Sequence, residues 1–384
     1  MLRFLTAGES HGPGLVAIVE GIPKGLPISA DDFSVELARR RHGYGRGARM
    51  QVETDQLEIL GGIRHGLTLG SPVSVVIRNS EWPKWSEVMA VEEREPAKKV
   101  TRPRPGHADL PGMLKYDTDD ARDILERASA RETAARTIAG VLARKLLATV
   151  GVDVFSHVVA IGKVASEGPA PHLDQRAQVD ASEVRCLDSK ATAHMIEAID
   201  LARESRDTLG GVFEVIAYGV PPGVGSHIQH DRRLDGMLAA GIMSIPGIKA
   251  VEIGDGFDGA AVPGSVAHDE IEVADGELVR TSNRAGGVEG GMSNGGPIRV
   301  RGAMKPISTL MQPLRTVDMA TGDPAQAVRE RSDVCAVPAA GVVGEQMVSI
   351  ALASEMLRKF GGDTVDEFTT TVDHYRRRLA KRIE

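Results

Sequence analysis

Alternating apolar and polar residues in three stretches of the chain predict strands that bury one face. These stretches are residues 71–78 (SPVSVVIR), 212–219 (VFEVIAYG) and 297–301 (PIRVR). Residues 13–20 (GPGLVAIV) follow a glycine-rich start and predict another short strand. A β-sheet is therefore expected to form part of the fold.

Apolar residues at helical spacing predict the helices. The longest such pattern covers residues 118–150, and Gly151 supplies a stop after it. Ser29 and Asp32 form a capping box for a helix that continues through Arg41. Further helices are expected near residues 192–206, 231–244, 343–359 and 364–382.

No linker divides the chain into domains. The best loop candidate, residues 166–180 (SEGPAPHLDQRAQVD), has regular patterns on both sides. We therefore predict one α+β domain over residues 1–384, with a C-terminal helix at about 364–382. One face of that helix is apolar and could dock on the body or on another subunit; its residues are Val365, Phe368, Val372, Tyr375 and Leu379.

Two glycine-rich segments are weakly similar to each other. Residues 61–75 (GGIRHGLTLGSPVSV) and 290–300 (GGMSNGGPIRV) both run from a glycine pair through a small loop to proline and an alternating stretch. Either the chain contains a duplicated strand-loop-strand unit, or these are two unrelated glycine turns.

Composition places the chain among globular proteins and narrows its ligands. It has 384 residues, of which 42% are hydrophobic and 26% charged, so bulk disorder is not expected. The formal net charge is −7, which argues against a general nucleic-acid coat, so any anion must bind at local cationic clusters. No window approaches 18 uninterrupted apolar residues, so no membrane span is expected.

Cysteine and histidine usage excludes two further kinds of site. Cys186 and Cys335 are too few for a disulfide framework or a thiolate zinc site, and they suit a reducing, cytoplasmic compartment. The eleven histidines show no metal-binding spacing, so no metal is predicted.

An arginine-rich stretch, residues 37–50, is the first candidate for chemistry. Arginine forks bind phosphate and carboxylate bidentately, and interspersed glycines let an anion approach closely. The same composition is typical of a solvated basic loop, or of an RNA-binding segment over residues 39–49. The arginines are Arg39, Arg40, Arg41, Arg46 and Arg49.

Two further segments offer groups that can move protons. In residues 101–109 (TRPRPGHAD), a stiff loop with two arginines presents His107, which titrates near neutral pH and can protonate a leaving phosphate. Arg331 and Asp333 lie two residues apart, so on extended backbone they share a side. Asp333 could take or relay a proton there, or it could form a structural ion pair.

Three more motifs add binding groups or a candidate nucleophile. Arg127 and Arg131 are expected on one helix face beside Ser129. Residues 305–309 (KPIST) supply one cation and two hydroxyls, which suit a phosphate or an isoalloxazine edge. Ser293 matches a nucleophile elbow formally, but the flanking strand and helix are missing, so a serine hydrolase is a weaker alternative.

Seven short segments occur in one order along nearly the whole chain. They are GESHG at 8–12, RRRHGYGRGARM at 39–50, TRPRPGHAD at 101–109, ERASARETAAR at 126–136, EGGMSNGG at 289–296, MKPIST at 304–309 and RSDVCAVPAAG at 331–341. Together they resemble the chorismate synthase family, and the absence of large insertions is similar to its bacterial form.

The resemblance implies a reaction, a cofactor, a fold and an assembly. This family converts 5-enolpyruvylshikimate 3-phosphate to chorismate and phosphate by anti-1,4-elimination, and it requires reduced FMN. The reaction is the last common step of the shikimate pathway to the aromatic amino acids. The implied fold is a β-α-β sandwich whose antiparallel sheets enclose a helical layer, and the implied assembly is a homotetramer.

The resemblance also implies roles for residues of this sequence. The substrate-binding set is Arg40, Arg46, Arg49, Arg104, Arg131 and Arg331, of which Arg40 and Arg46 are also expected to be described as NADP positions. The flavin-binding set is Arg127, Ala128, Ser129, Pro246, Gly247, Gly290, Lys305, Pro306, Ile307, Ser308, Thr309 and Arg331. His107 would protonate the leaving phosphate and His11 the reduced flavin near its N1–O2 edge. Asp333 would assist the flavin N5 in removing the C6 proton.

Pro246 and Gly247 depart from the family pattern, in which an amide residue and then alanine precede VEIGDGF. Proline lacks both an N–H and a side-chain amide, so one hydrogen bond to flavin is expected to be missing or to come from elsewhere. The main alternative function is a non-catalytic polyanion- or RNA-binding protein that uses residues 39–49.

Overall fold

A computed structural model describes nearly the whole chain. It covers residues 2–47, 55–94, 99–274, 276–330 and 332–381. Its strands are β1 Arg3–Gly8, β2 Gly14–Glu20, β3 Gln56–Gly61, β4 Ile63–Arg64, β5 Leu67–Thr68, β6 Val73–Arg78, β7 Asp153–Ile161, β8 Val164–Ala165, β9 Gly211–Tyr218, β10 Ile248–Ile253, β11 Ile271–Ala274, β12 Glu277–Arg280, β13 Val288–Glu289, β14 Met292–Ser293, β15 Ile298–Met304, β16 Arg315–Val317 and β17 Pro324–Gln326.

Two antiparallel sheets contain most of these strands. The first has the strand order β1-β2-β6-β3, and the second has the order β10-β15-β9-β7-β8. The strands predicted at 13–20, 71–78, 212–219 and 297–301 are confirmed as β2, β6, β9 and β15.

A layer of helices lies between the two sheets. The described helices of the chain, inside and outside this layer, are α1 Ala30–Arg41, α2 Trp82–Trp85, α3 Asp109–Tyr116, α4 Arg122–Ala128, α5 Thr133–Ala148, α6 Arg176–Ala181, α7 Ser189–Glu204, α8 Leu234–Met243, α9 Gly256–Ala260, α10 Gly264–Ala267, α11 Val337–Phe360 and α12 Val365–Ala380. Helix α5 packs on β1, β2 and α11, and α11 packs on β7 and β9. The implied β-α-β sandwich is confirmed.

The two sheets share one plan. The order β1-β2-β6-β3 corresponds to β7-β9-β15-β10, and a short ribbon precedes the third strand of each series, β4-β5 before β6 and β13-β14 before β15. A long helix of the central layer then follows, α5 in the first half and α11 in the second. The chain therefore contains two copies of one strand-helix unit.

Hydrogen bonds repeat between the two halves. Thr68 Oγ1 donates to the Pro23 carbonyl at 2.6 Å, and Ser293 Oγ donates to the Pro221 carbonyl at 2.6 Å. Each hydroxyl closes a short ribbon onto the loop that follows the second strand of its half. The duplicated alternative for the two glycine segments is the one that the structure shows.

The glycine pair of the first segment, Gly61 and Gly62, corresponds in the structure to Gly286 and Gly287. This is four residues earlier in the chain than the pair at 290–291 that the sequence comparison indicated. Gly62 (φ +85°) corresponds to Gly287 (φ +75°), and both lie in the left-handed region. A Cβ would stand 2.4 Å from the Pro72 carbonyl oxygen at Gly62, and 2.5 Å from the Pro297 carbonyl oxygen at Gly287. Only glycine permits this close approach of the backbone.

The single helix predicted over residues 118–150 is wrong, because the chain is interrupted at Ser129. Helix α4 ends there, a 3₁₀ turn (Ala130–Glu132) follows, and α5 begins at Thr133. The Ser129 backbone is extended (φ −62°, ψ 142°), and its hydroxyl accepts a hydrogen bond from the Arg131 amide. Serine favours such a cap over a helix interior, and the break separates Arg127 from Arg131.

The loop predicted over residues 166–180 contains short helical elements. Within residues 166–180 the chain forms a 3₁₀ turn at Leu173–Gln175 and begins α6. The capping box of α1 is confirmed, since Ser29 Oγ accepts from the Asp32 amide and Asp32 Oδ2 accepts from the Ser29 amide.

The two C-terminal helices pack on the body in different ways. Helix α11 is long and apolar enough to cross a membrane, but 94% of its apolar window is buried inside the protein, as in a core helix. Helix α12 buries Phe368 and Val372 completely, and Tyr375 Oη donates to the Pro222 carbonyl at 3.0 Å. The apolar stripe of α12 therefore docks on the chain's own body.

Candidate active site

One large cavity, of about 1680 Å³, lies where loops of the two halves meet. Matching places in both halves line it: Ser10, His11, Arg40, Arg46 and residues 128–131 from the first, and residues 245–247, 304–309, 332–333 and the start of α11 from the second. Because equivalent loops of a duplicated fold meet at its centre, residues far apart in sequence come to share one site.

Four of the arginines singled out in the sequence converge on this cavity. Arg40, Arg46, Arg104 and Arg131 line it, and each has less than a tenth of its surface or side chain exposed. Arg49 lies outside the described residues, as does Arg331. The expected convergence of guanidinium groups is present, and the substrate contacts themselves remain predictions.

Two of these four arginines, Arg46 and Arg131, form ion pairs with carboxylates. Asp333 Oδ2 pairs with Arg46 Nη1 at 2.7 Å, and its Oδ1 accepts from the Gly47 amide at 2.7 Å. Asp55 Oδ1 pairs with Arg131 Nη1 at 2.6 Å. Among the described residues, the ion-pair partner of Asp333 is therefore Arg46, which belongs to the other half of the chain.

Consecutive arginines of α1 have different partners. Arg39 is directed into the core, where its guanidinium meets Glu345 at 2.7 and 3.0 Å. Arg40 is 4% exposed, and its Nη1 donates to Thr133 Oγ1 at 3.2 Å on the cavity wall. Since Arg46 is also enclosed, these side chains form a pocket wall and not an exposed basic strip. The geometry disfavours the RNA-binding alternative.

The His107 loop is folded around a buried carboxylate. Gly106 precedes it with φ +78°, a left-handed conformation that suits glycine. His107 Nδ1 lies 2.5 Å from Asp109 Oδ1, and Arg104 Nε donates to Asp109 Oδ2 at 2.8 Å. Burial alone would raise the pKa of Asp109, but hydrogen bonds with His107 and Arg104 hold that pKa well below its usual range.

His11 is held in a similar way. Its Nδ1 lies 2.8 Å from Glu126 Oε2, and Arg122 Nη1 donates to Glu126 Oε1 at 2.8 Å. The imidazole also stacks on Trp85 with a centroid distance of 4.0 Å. Burial alone would raise the pKa of Glu126, but the hydrogen bond with His11 and the charges of His11 and Arg122 lower it.

Most residues of the predicted flavin set line the cavity. These are Ala128, Ser129, Pro246, Gly247, Lys305, Pro306, Ile307, Ser308 and Thr309. Two described members are placed elsewhere. Arg127 donates to the carbonyls of Thr6 and Gly8, and Gly290 is exposed in the turn of the β13-β14 ribbon. The flavin-binding roles of the whole set remain predictions.

The cavity suits a flat anionic ligand beside a second one. Lys305 supplies a cation to this part of the lining, and burial, with a smaller effect of the nearby Lys249, lowers its pKa. Small apolar side chains form another part of the lining: Ala336, Ala339, Ala340 and Val343. Pockets for a single small ligand measure about 300–1000 Å³. A volume of about 1680 Å³ therefore leaves room for flavin and substrate together.

Several site residues were missed in the sequence. Trp85, Glu126 and Asp109 all contact a candidate catalytic histidine. Asp109 stood two residues after His107 in an already selected motif, and Glu126 stood one residue before Arg127. Trp85 carried a weaker signal, as one of only two tryptophans.

Ser293 has a structural place in the fold. Its hydroxyl donates to the Pro221 carbonyl at 2.6 Å and accepts from the Val224 amide at 2.9 Å, and the residue is 4% exposed. The Ser293 hydroxyl therefore both donates a hydrogen bond to the backbone and accepts one from it. The serine-hydrolase alternative finds no support in this geometry.

Comparisons with known proteins decide the family. The sequence model of the family described as chorismate synthase matches residues 2–357. The chain belongs to the chorismate synthase family. The chorismate synthases of Parafrankia sp. (strain EAN1pec) and Thermobifida fusca (strain YX) are 58% and 57% identical to it, over 100% and 98% of both chains.

A solved structure agrees with this result. The protein described as "Crystal Structure of Chorismate Synthase" is 42% identical, covers 99% of this chain and 98% of its own, and has a TM-score of 0.80. The chain is accordingly an enzyme of the lyase class with the chorismate synthase function, in the shikimate pathway. The family resemblance predicted from the seven segments is confirmed.

Proposed function

We propose that the chain eliminates phosphate from 5-enolpyruvylshikimate 3-phosphate in the cavity, with reduced FMN beside the substrate. The convergence of four buried arginines on one cavity carries this proposal. The substrate has a phosphate and two carboxylates, and FMN adds another phosphate. Two like unit charges 4 Å apart repel by about 4 kcal/mol at an effective dielectric of 20, so fixed cations must offset them.

Reduced FMN, when bound, supplies the electron density that cleavage of the allylic C–O bond requires. The chain's own residues bind and orient both molecules and manage the protons. Arg40, Arg46 and Arg131 hold the anionic groups of the substrate. Lys305 and the hydroxyls of Ser308 and Thr309 meet the flavin.

Protons move at three side chains. His107 gives a proton to the departing phosphate oxygen, and His11 holds a proton at the N1–O2 edge of the flavin. Asp333, fixed by Arg46 and the Gly47 amide, assists removal of the C6 proton. The proposed acid, His107, and the proposed base, Asp333, lie on different loops, which allows each to face its own end of the substrate.

Arg40 and Arg46 are also the positions proposed for NADP. Because both line the cavity assigned to substrate, a nicotinamide nucleotide held there would occupy the same space as the substrate. NADP would then bind before or after the elimination, and not during it.

The proposed function predicts strict dependence on reduced flavin. The purified chain is mixed anaerobically with substrate and photoreduced FMN, with no other protein present, and phosphate release is measured. We expect turnover with reduced FMN and none with oxidised FMN or without flavin. Equal phosphate release in all three reactions would contradict the proposal.

Replacing Asp333 with asparagine is expected to leave FMN binding intact and to lower kcat at least tenfold. The amide can still accept from the Gly47 amide, but it cannot take a proton or neutralise Arg46. Flavin fluorescence and single-turnover assays measure the two effects, with the exposed Asp231→Asn variant as control. A variant that fails to bind FMN would instead give Asp333 a structural role.

We also propose a homotetramer and a cytoplasmic location. Apolar side chains are exposed on the outer face of the first sheet and on the β11-β12 ribbon: Leu5, Ile18, Leu60, Ile271, Val273 and Leu278. Such patches mark interfaces, and the family resemblance implies four copies, so light scattering should give four times the chain mass of 40.9 kDa. A single-chain mass would contradict the assembly.

The proposed cytoplasmic location is supported by the two cysteines. Both are free and buried, which fits a reducing compartment.

A further inference from the structure

We infer that Asp109 is a positioning residue for the acid step, because it fixes the His107 imidazole with Nδ1 protonated and Nε2 left for the ligand. The inference rests on the proposed acid role of His107. The sequence motif around His107 had assigned no role to Asp109.

Asp109 is completely buried at the first position of α3. Its Oδ1 faces His107 Nδ1 at 2.5 Å, while its Oδ2 accepts from both the backbone amide and Nε of Arg104, at 3.0 and 2.8 Å. A carboxylate held by Arg104 stays ionised and can only accept hydrogen bonds. Arg104 Nη2 also lies 3.1 Å from His107 Nδ1, but the shorter contact of this nitrogen, at 2.5 Å, is with the Asp109 oxygen, which can only accept. His107 Nδ1 therefore carries the hydrogen, and Nε2 is left as the ring nitrogen that can meet phosphate.

Arg104 completes this arrangement from the other side. Its Nη2 donates to Asp109 Oδ1 at 3.1 Å, and its Nη1 donates to Thr309 Oγ1 at 3.0 Å. Most of its fork is thus directed at the protein. In the acid step, the imidazolium passes its Nε2 proton to the phosphate oxygen as the C–O bond breaks. The neutral ring that remains keeps its Nδ1–H on Asp109.

A second histidine shows the same three-part arrangement. Arg122, Glu126 and His11 repeat the order arginine, buried carboxylate and imidazole Nδ1, and Glu126 is 2% exposed. The two groups come from different parts of the chain, one around the start of α3 and the other joining α4 to the loop after β1, so local sequence does not account for the recurrence. Both candidate proton carriers of the site are oriented through Nδ1.

The Asp109→Asn variant tests the inference through the histidine tautomer. The two Arg104 N–H groups at the Oδ2 position require an acceptor, so the asparagine carbonyl oxygen should take that position. Its NH₂ group then faces His107 Nδ1 and forces that nitrogen to accept. We expect ¹⁵N spectra of ring-labelled protein, assigned with His107→Gln and recorded at a pH high enough for the His107 ring to be neutral, to show the Nδ1–H form in the native chain and the Nε2–H form in the variant.

Kinetics supply the second readout. We expect kcat of Asp109→Asn to fall at least tenfold, while FMN and substrate affinities stay within about twofold. The matched control is Asp117→Asn at the other end of α3, where the residue is exposed and its left-handed φ of 52° tolerates asparagine. This control should keep the native tautomer and rate.

Two results would overturn the inference. One is a native spectrum with His107 in the Nε2–H form, which decides the matter even when the variant does not fold. The other is a folded Asp109→Asn variant that retains the native tautomer and kcat. Normal turnover by a His107→Ala variant, with the native Nδ1–H spectrum intact, would instead remove the proposed acid role and leave the orientation by Asp109 standing.

Discussion

Replacing His107 with alanine is expected to lower kcat at least tenfold, which corresponds to about 1.4 kcal/mol or more of added barrier. Without the imidazole the departing phosphate must take its proton from water, and a positioned general acid contributes about 10²–10⁴-fold. Because His107 lies on a loop whose buried anchor is Asp109 and Arg104, its removal should leave FMN binding and the fold unchanged. Steady-state phosphate release with reduced FMN measures the loss.

The exposed His194 on α7 provides the matched control for this experiment. His194→Ala should turn over at the native rate. If His107→Ala does so as well, His107 has no part in the mechanism. A fall in kcat that is matched by loss of flavin binding would also contradict the acid role, because the loop would then act on the cofactor site.

Replacing Glu345 with alanine is expected to destabilise the protein by about 3–5 kcal/mol, the usual cost of breaking a buried ion pair by removing one partner. Glu345 is fully buried on α11 and meets Arg39, Arg185 and Arg144 at 2.7, 2.9 and 3.3 Å. Its removal leaves three guanidinium groups beside one another without their shared anion. The midpoint of urea unfolding, with exposed Glu204→Ala as control, measures the effect.

The same network predicts how stability depends on acid. Burial alone would raise the pKa of Glu345, but Arg39, Arg185 and Arg144 hold that pKa well below its ordinary value of 4.5. A carboxyl whose pKa is lower in the folded than in the unfolded chain stabilises the fold above pH 4.5, and this stability is lost as the pH falls below it. Glu345→Ala should show a smaller loss over the same range. Identical acid profiles would contradict this account of the network.

Local patterns in the sequence predicted local structure well. Ser29 and Asp32 cap α1 as expected, and the four predicted strands formed because alternation fixes which face of a strand is buried. The helical pattern over residues 118–150 misled us, since apolar spacing continues through Ser129 while the backbone does not. A capping serine inside a periodic stretch was the available signal.

The site was predictable in its residue types but not in its pairing. The arginines indicated an anionic ligand, and the family resemblance implied that they share one pocket. Sequence could not show that Asp333 pairs with Arg46, because that contact depends on how the two halves of the chain meet. For the same reason, the buried carboxylates of Asp109 and Glu126 were recognised only once their burial and partners were known.

Simultaneous binding of two anions in one cavity is the claim on which the account depends. The most direct measurement is a calorimetric titration of 5-enolpyruvylshikimate 3-phosphate into the chain already saturated with oxidised FMN, with flavin absorbance followed in parallel. The account predicts one substrate bound per chain while FMN stays bound. Release of one FMN for each substrate bound would contradict it, because the arginines would then serve a single ligand at a time.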